Sequence, residues 1–421
     1  MSTNVYTKGK RWLAAATASF MALGFTAGAA RAADQTLDGL LQSLLRHNEN
    51  TKYSRVATIH VPGKPLSVFD ISFVDPTLPL YYLADRSNAA LDIVDTRTNT
   101  VIAQVGGFVG VRKDPATGLT SNAVSGPDGV ATVGAGEVWV GDGDSTVKVV
   151  DVVSQKVTDT ISTALDGENG DIDKRADEMF YDPHDNVMLV ANNAATPPYV
   201  TLISTLPNDH RVLAHIVYIV YGDSDGVEAS VYDPANGLFY VNLTQIGADP
   251  NNGAISIVDP RQLKEVGRFP VTGCTGTGLD LAPGGKLLVG CSLTNTSQII
   301  SARDGSLLGE FPQVSGADQI WYNRGDGKVY IAARNNPAAA GGPSLGVIDA
   351  LTNTFVTNIP TDASAHSVAA DARTGNIFVP LGPIASDPAC TAGCIAVYNG
   401  QQNENLLERD LERFITDLTA P

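Results

Sequence analysis

Between residues 53 and 400 the apolar positions fall in short runs, each bounded by Gly, Pro, Asn or Asp. Runs this short, rich in Val, Ile, Tyr and Phe and fenced by turn residues, predict β-strands rather than helices. One phrase recurs: a strand, a polar gap, a second strand ending in Asp, a turn and a third strand. It reads LYYLADRSNAALDIVDTRTNTVIAQV, then EVWVGDGDSTVKVVDVVSQKVTDTI, LFYVNLTQIGADPNNGAISIVDPRQLKEVGRF and KVYIAARNNPAAAGGPSLGVIDALTNTFVTNI. MLVANNAATPPYVTLIS and LLVGCSLTNTSQIISA are weaker copies. The middle strand of each phrase ends at Asp95, Asp151, Ser204, Asp259, Ala302, Asp349 and Asn399, a spacing of roughly 40 to 60 residues that marks a repeat architecture.

A further strand precedes each phrase and ends in a turn such as VDPTLP, YDPHDN, YDPANG, LAPGGK, YNRGDG or DARTGN, the expected hairpin punctuation. Each repeat is therefore four short antiparallel strands, and seven of them predict an all-β, seven-bladed propeller over residues 53–400. The last repeat lacks a fourth strand. RVATIHVPG, residues Arg55–Gly63, resembles the fourth strands VIAQVGG and EVGRFPVTG, so it is expected to complete blade seven and close the ring. The flanking stretches TLDGLLQSLLRHNEN and ENLLERDLERFITDL space Leu and Phe at helical intervals. They predict helical extensions at 33–52 and 401–421.

The phrases VANNAATPPYVTLIS, LFYVNLTQIG, SIVDP and GVIDALTNTFVTNI resemble the YVTN-type repeat propellers, a bacterial family of exported seven-bladed propellers, and the likeness covers essentially all of 53–400. The resemblance implies the fold. It does not imply one activity, because this architecture hosts binding proteins, lactonases, lyases and subunits of redox enzymes.

Export is also written in the N-terminus. Lys8, Lys10 and Arg11 precede the apolar run WLAAATASFMALGFTAGAA, and Ala30-Arg31-Ala32 supplies small residues for cleavage. Residues 1–32 read as a secretory signal peptide, which predicts a periplasmic or secreted protein. The formal charge of −17 becomes −21 once the leader's four basic residues are removed. Such a surface disfavours nucleic acid and anionic lipid as partners, and no later run is long enough to span a membrane. A monomer is expected. In an oxidising compartment four cysteines suggest two disulfides; of the three connectivities, Cys274–Cys291 and Cys390–Cys394 are the local pairings.

The stretch ADEMFYDP, residues 176–183, places Asp177 and Glu178 ahead of an apolar strand, where an unpaired charge is costly. Aligning the repeats at their first strands explains the cost. Counting back five residues from the turn gives Asp70, Asp177, Glu228, Thr277, Asp318 and His366, and the less regular second repeat gives Asp128. The first strand of a blade is the innermost, so these seven residues are expected to encircle the axial channel. Strand alternation should turn Glu178 the other way, toward a backbone group between blades. Trp321 and Tyr322 should pack between blades.

Crowded carboxylates resist ionisation unless water or a cation sits among them. Asp70, Asp128, Asp177, Glu228, Asp318 and His366 are therefore candidate metal ligands, suited to Ca²⁺, Mg²⁺ or Mn²⁺ and less to Zn²⁺. A wide, wet channel with no ligand is one alternative, and a cationic organic ligand is the other. Loops on the same face carry Arg86, Asn193, Arg334 and Asn335, candidates for a substrate carboxylate or phosphate; the two arginines could equally pair with the ring acids. The sequence shows no Gly-rich phosphate loop, haem motif or serine elbow. The reading that follows is a metal-dependent hydrolase or lyase, lactonase-like, acting on a small oxygenated, anionic molecule, with His366 as ligand or as general acid–base. The alternative is a non-catalytic propeller that binds a small molecule in its axial pocket or a protein partner on one face.

Overall fold

The structure is a computed structural model that describes residues 52–134, 136–165, 174–218, 226–336 and 342–401. The expected signal peptide, and the helical extensions apart from Lys52 and Gln401, lie outside the described residues. Tyr53–Gln401 is one compact unit.

Seven four-stranded antiparallel sheets make up this unit. Six are formed in chain order by residues 72–106, 130–162, 179–217, 227–271, 276–310 and 320–360. The seventh takes Ala369–Ala370, Ile377–Leu381 and Cys394–Gln401, and its fourth strand is Lys52–Ile59 from the other end of the chain. The ring thus closes through an N-terminal strand, which starts and stops a few residues earlier than Arg55–Gly63. The first strand of every blade contacts those of both neighbours, all the way round from blade one to blade seven and back. That contact ring makes the fold a seven-bladed β-propeller.

Burial follows from this stacking. Among the described residues seven apolar clusters fill the seven clefts between adjacent blades. Trp139, Val147 and Val149 of blade two, for example, pack on Met179, Met188 and Val190 of blade three. The second and third strands have a blade on each face and are buried almost throughout, as in Leu80–Asp85 and Val187–Asn192. The outermost strands alternate exposed and covered positions, as in Lys264–Val271, because one face meets water. Trp321 joins the core and meets Phe73 edge-on at 5.2 Å.

Two features draw the inner strands together. A Cβ on Gly129 would lie 2.1 Å from Asp177 O, and one on Gly278 would lie 2.1 Å from Asp318 O, so only glycine allows neighbouring backbones this close. At the closing seam Gln319 of blade six donates to Ser72 O of blade one at 2.8 Å and accepts from Ser367 Oγ and Val368 N of blade seven at 2.6 and 3.0 Å. Both expected disulfides are present, Cys274–Cys291 and Cys390–Cys394. Two such bonds point to an oxidising, exported environment. No helix among the described residues is long and apolar enough to cross a membrane.

Candidate ligand site on the propeller axis

The ring residues sit at the entry to the inner strands, where a repeated irregularity sets their direction. In blade three Asp177 N–H donates to Ala191 O at 2.8 Å, and Ala191 N–H donates to Glu178 O at 2.9 Å. Two residues thus face one, a β-bulge immediately before the regular pairing that begins at Met179 opposite Val190. Asp70 and Ile71 face Ala84, Asp128 and Gly129 face Gly141, and Asp318 and Gln319 face Ala332 in the same way. In blades four and five the register shifts at the same place.

A bulge suspends strict alternation, so a residue and its successor can both turn inward. The expectation that Glu178 points away is corrected on this ground: Glu178 lines the axial cavity together with Asp177. The cavity has a volume of about 930 Å³. Asp70, Asp177, Glu228, Thr277, Asp318 and His366 lie on its wall, as do Arg86, Arg334 and Asn335. Asp128 and Asn193 are off the wall. Both are buried, and each bonds a residue that lines it.

A second circle sits above the first. Arg86, Asn193, Thr244, Ser292 and Arg334 each follow directly on the second strand of their blade. Three of them reach back sixteen residues to the ring acid of the same blade. Arg86 bonds Asp70, Asn193 Nδ2 donates to Asp177 Oδ2 at 2.6 Å, and Arg334 pairs with Asp318 at 3.1 Å. The spacing recurs in the sequence and is the signal that links the two circles.

Arg86 does more than rim the cavity. It is 2% exposed, and its Nε donates to Asp128 Oδ1 at 2.9 Å while its Nη2 contacts both Asp70 and Asp128. A second arginine, half-buried and absent from the sequence reading, stands beside it. Arg175 pairs with Asp177 at 2.9 Å, approaches Asp70 at 3.8 Å and donates to Asn193 Oδ1 at 3.0 Å. It leads into blade three, outside the repeat alignment, and its N–H donates to Ala123 O.

These pairs divide the acids by environment. Burial pushes Asp70 up, but the Arg86 guanidinium, His366 and Arg175 outweigh it and hold this carboxyl below its usual range. Burial raises Asp177 to about 6 against the pull of Arg175, with Asp70 adding to the rise. Asp128 goes up, chiefly through burial. Glu178 is pushed well up by burial and then by Glu228, Asp177, Asp318 and Asp70.

Asp70, Asp128 and Asp177 offer oxygens that all lie within 4.8 Å of one another, a buried acidic triad that could hold a metal ion. Arg86 already donates to two of its three members. His366 is likewise engaged. Its Nδ1 lies 2.8 Å from Ser364 O, its Nε2 lies 3.2 Å from Phe69 O and 3.5 Å from Asp70 Oδ1, and its ring stacks on Phe69. Neither nitrogen can turn to a metal without leaving a carbonyl.

The fold and site define a seven-bladed β-propeller with a polar, acid-rich axial pocket. No protein-family profile matches the chain, and no curated protein matches it. Among solved structures it is similar to a chain of "Crystal Structure of Mitotic Checkpoint Complex", at 14% identity and a TM-score of 0.57 over 83% of this chain and 93% of that one. In all, 1641 solved chains match, so the likeness is one of fold and leaves function to the site.

Proposed function

We propose that this is an exported propeller of the YVTN-repeat type that binds a small polar molecule in its axial pocket without transforming it. The observation that carries the reading is the engagement of the acidic triad and of His366, the groups that metal-assisted chemistry would need. The acids closest together are tied to Arg86 and Arg175, and both nitrogens of His366 face carbonyl oxygens. A cavity of about 930 Å³ stands above them, a size common for small-ligand sites. Hydroxyls of Ser121, Thr244 and Ser292, with Asn335, supply adaptable polar contacts around its wall. The pocket is held rigidly by inner strands and buried ion pairs, which suits recognition by a preformed site.

A metal-dependent hydrolase or lyase is the second reading, and the triad spacing favours it. It requires an ion to displace Arg86 from Asp70 and Asp128. The two readings separate in one experiment. The exported protein is melted against a library of small polar metabolites, and hydrolysis of a lactone and ester series is assayed with and without added Ca²⁺, Mg²⁺ or Mn²⁺. Stabilisation by a ligand class with no metal-stimulated turnover is expected. Turnover that vanishes in chelator would replace the binding reading with the catalytic one.

A further inference from the structure

Among the described residues the formal charges around the axial cavity do not balance. Its acids are Asp70, Asp177, Glu178, Glu228 and Asp318, with Asp128 buried beside Arg86. Its cations are Arg86, Arg175 and Arg334. Arg86 is committed to Asp70 and Asp128, Arg175 to Asp177, and Arg334 to Asp318. Glu178 is 7% exposed, and its Oε2 is buried with no donor in reach. The charged groups that act on it most strongly are four other carboxylates. Glu178 lines the cavity with one carboxyl oxygen left without a donor, which makes it a recognition group lacking its partner.

A positive partner relieves that repulsion and favours the ionised carboxylate, and the spacing says what kind. Among the described residues the one group of three acids gathered within 4.8 Å is the triad that Arg86 occupies. Glu178 and its neighbours Glu228 and Asp318 do not gather to that spacing. Ca²⁺ and Mg²⁺ hold their oxygens at about 2.0 to 2.6 Å and need several at once, a gathering that these three acids do not present. A nitrogen cation with several N–H donors spans wider gaps, one hydrogen bond at a time. Arg86 shows the arrangement in miniature, one guanidinium serving two carboxylates. Val68, Ile71, Ala194 and Leu293 on the same wall offer apolar surface for a short carbon chain.

We infer that the axial pocket binds a small organic cation, an alkylammonium or guanidinium compound, with Glu178 as the carboxylate that receives its charged head and Glu228 as a second contact. This rests on the reading of the pocket as a ligand site. Isothermal titration of the exported protein at pH 7 and low salt tests it, with agmatine, spermidine and choline as probes. CaCl₂, MgCl₂ and MnCl₂ are titrated as the metal arm, and glucose and succinate as neutral and anionic arms. Glu178→Gln and Glu228→Gln are run beside the wild type, and melts of the ligand-free variants check their fold. At least one organic cation should bind, and each substitution should weaken it tenfold or more without lowering the melting temperature. Binding by the metals alone would overturn the inference, as would an organic cation bound equally by wild type and both variants. Binding of glucose or succinate alone would overturn it while leaving the pocket a ligand site. A flat result for every probe, together with no stabilisation in the metabolite library, would remove both.

Discussion

Arg86 and Arg334 hold equivalent positions after the second strands of blades one and six, yet their surroundings give them different weight. Arg86 is 2% exposed and serves two buried carboxylates, whereas the Arg334 side chain is 48% exposed and serves one. Removing one partner of a buried ion pair strands the other and costs about 3–5 kcal/mol; an exposed pair contributes about 1 kcal/mol or less. Urea unfolding should therefore show Arg86→Met destabilised by several kcal/mol and Arg334→Ala nearly unchanged. Equal losses would mean that burial does not separate them. Asp177 supplies a pH test at the same scale. Its folded carboxyl keeps a proton up to about pH 6, above the ordinary 3.8. The stability it contributes is thus full below pH 3.8 and is lost as pH rises through 6, with a slope of up to about 1.4 kcal/mol per pH unit. The stability of wild type relative to Asp177→Asn should fall between pH 4 and 6 and level off above 7; a constant difference across that range would contradict the raised titration. Sequence alignment found the ring acids because each sits at a fixed offset from a hairpin turn. It missed Arg175 because that residue belongs to a connecting loop, which no repeat frames.

At the scale of elements, the strand Lys52–Ile59 is the one piece of blade seven supplied from a distance in sequence. Arg55 pairs with Asp387 across this junction. A variant lacking residues 52–59 should leave the strand Cys394–Gln401 with an unpaired edge and lose its cooperative thermal transition by circular dichroism. A truncated protein that melts like the intact one would refute closure by this strand. The missing fourth strand was legible because the last repeat visibly stops short. The bulges were not. A bulge adds one residue to a strand without changing its composition, and the period-two rule carried through it turned Glu178 outward. Only the pairing of Asp177 and Glu178 with the single residue Ala191 reveals why both acids face the axis.

At the scale of the whole molecule, seven blades, a formal charge of −17 for the full chain and two disulfides describe an acidic ring suited to an oxidising environment. Cys274–Cys291 ties residues 17 apart, and Cys390–Cys394 ties residues four apart. Loop-closure entropy favours the longer link, worth about 3 kcal/mol for a loop of that size. The double Ser variant of the Cys274–Cys291 pair should lose more melting temperature than that of Cys390–Cys394, and thiol titration of denatured wild type should find no free cysteine. A larger loss from the shorter link would contradict this ordering. The repeat made the fold legible at this scale, because every blade restates the same strand pattern. The site was legible only as a circle of residue types. Which acids pair with arginines depends on loops that differ from blade to blade. The central claim is that the protein's own guanidinium groups, not an ion, neutralise the acidic triad. Elemental analysis of the exported protein, purified without chelator and melted before and after chelator is added, tests it most directly. Far less than one metal ion per chain and an unchanged melting temperature are expected; one tightly held ion per chain, with a melt that falls on chelation, would overturn the claim.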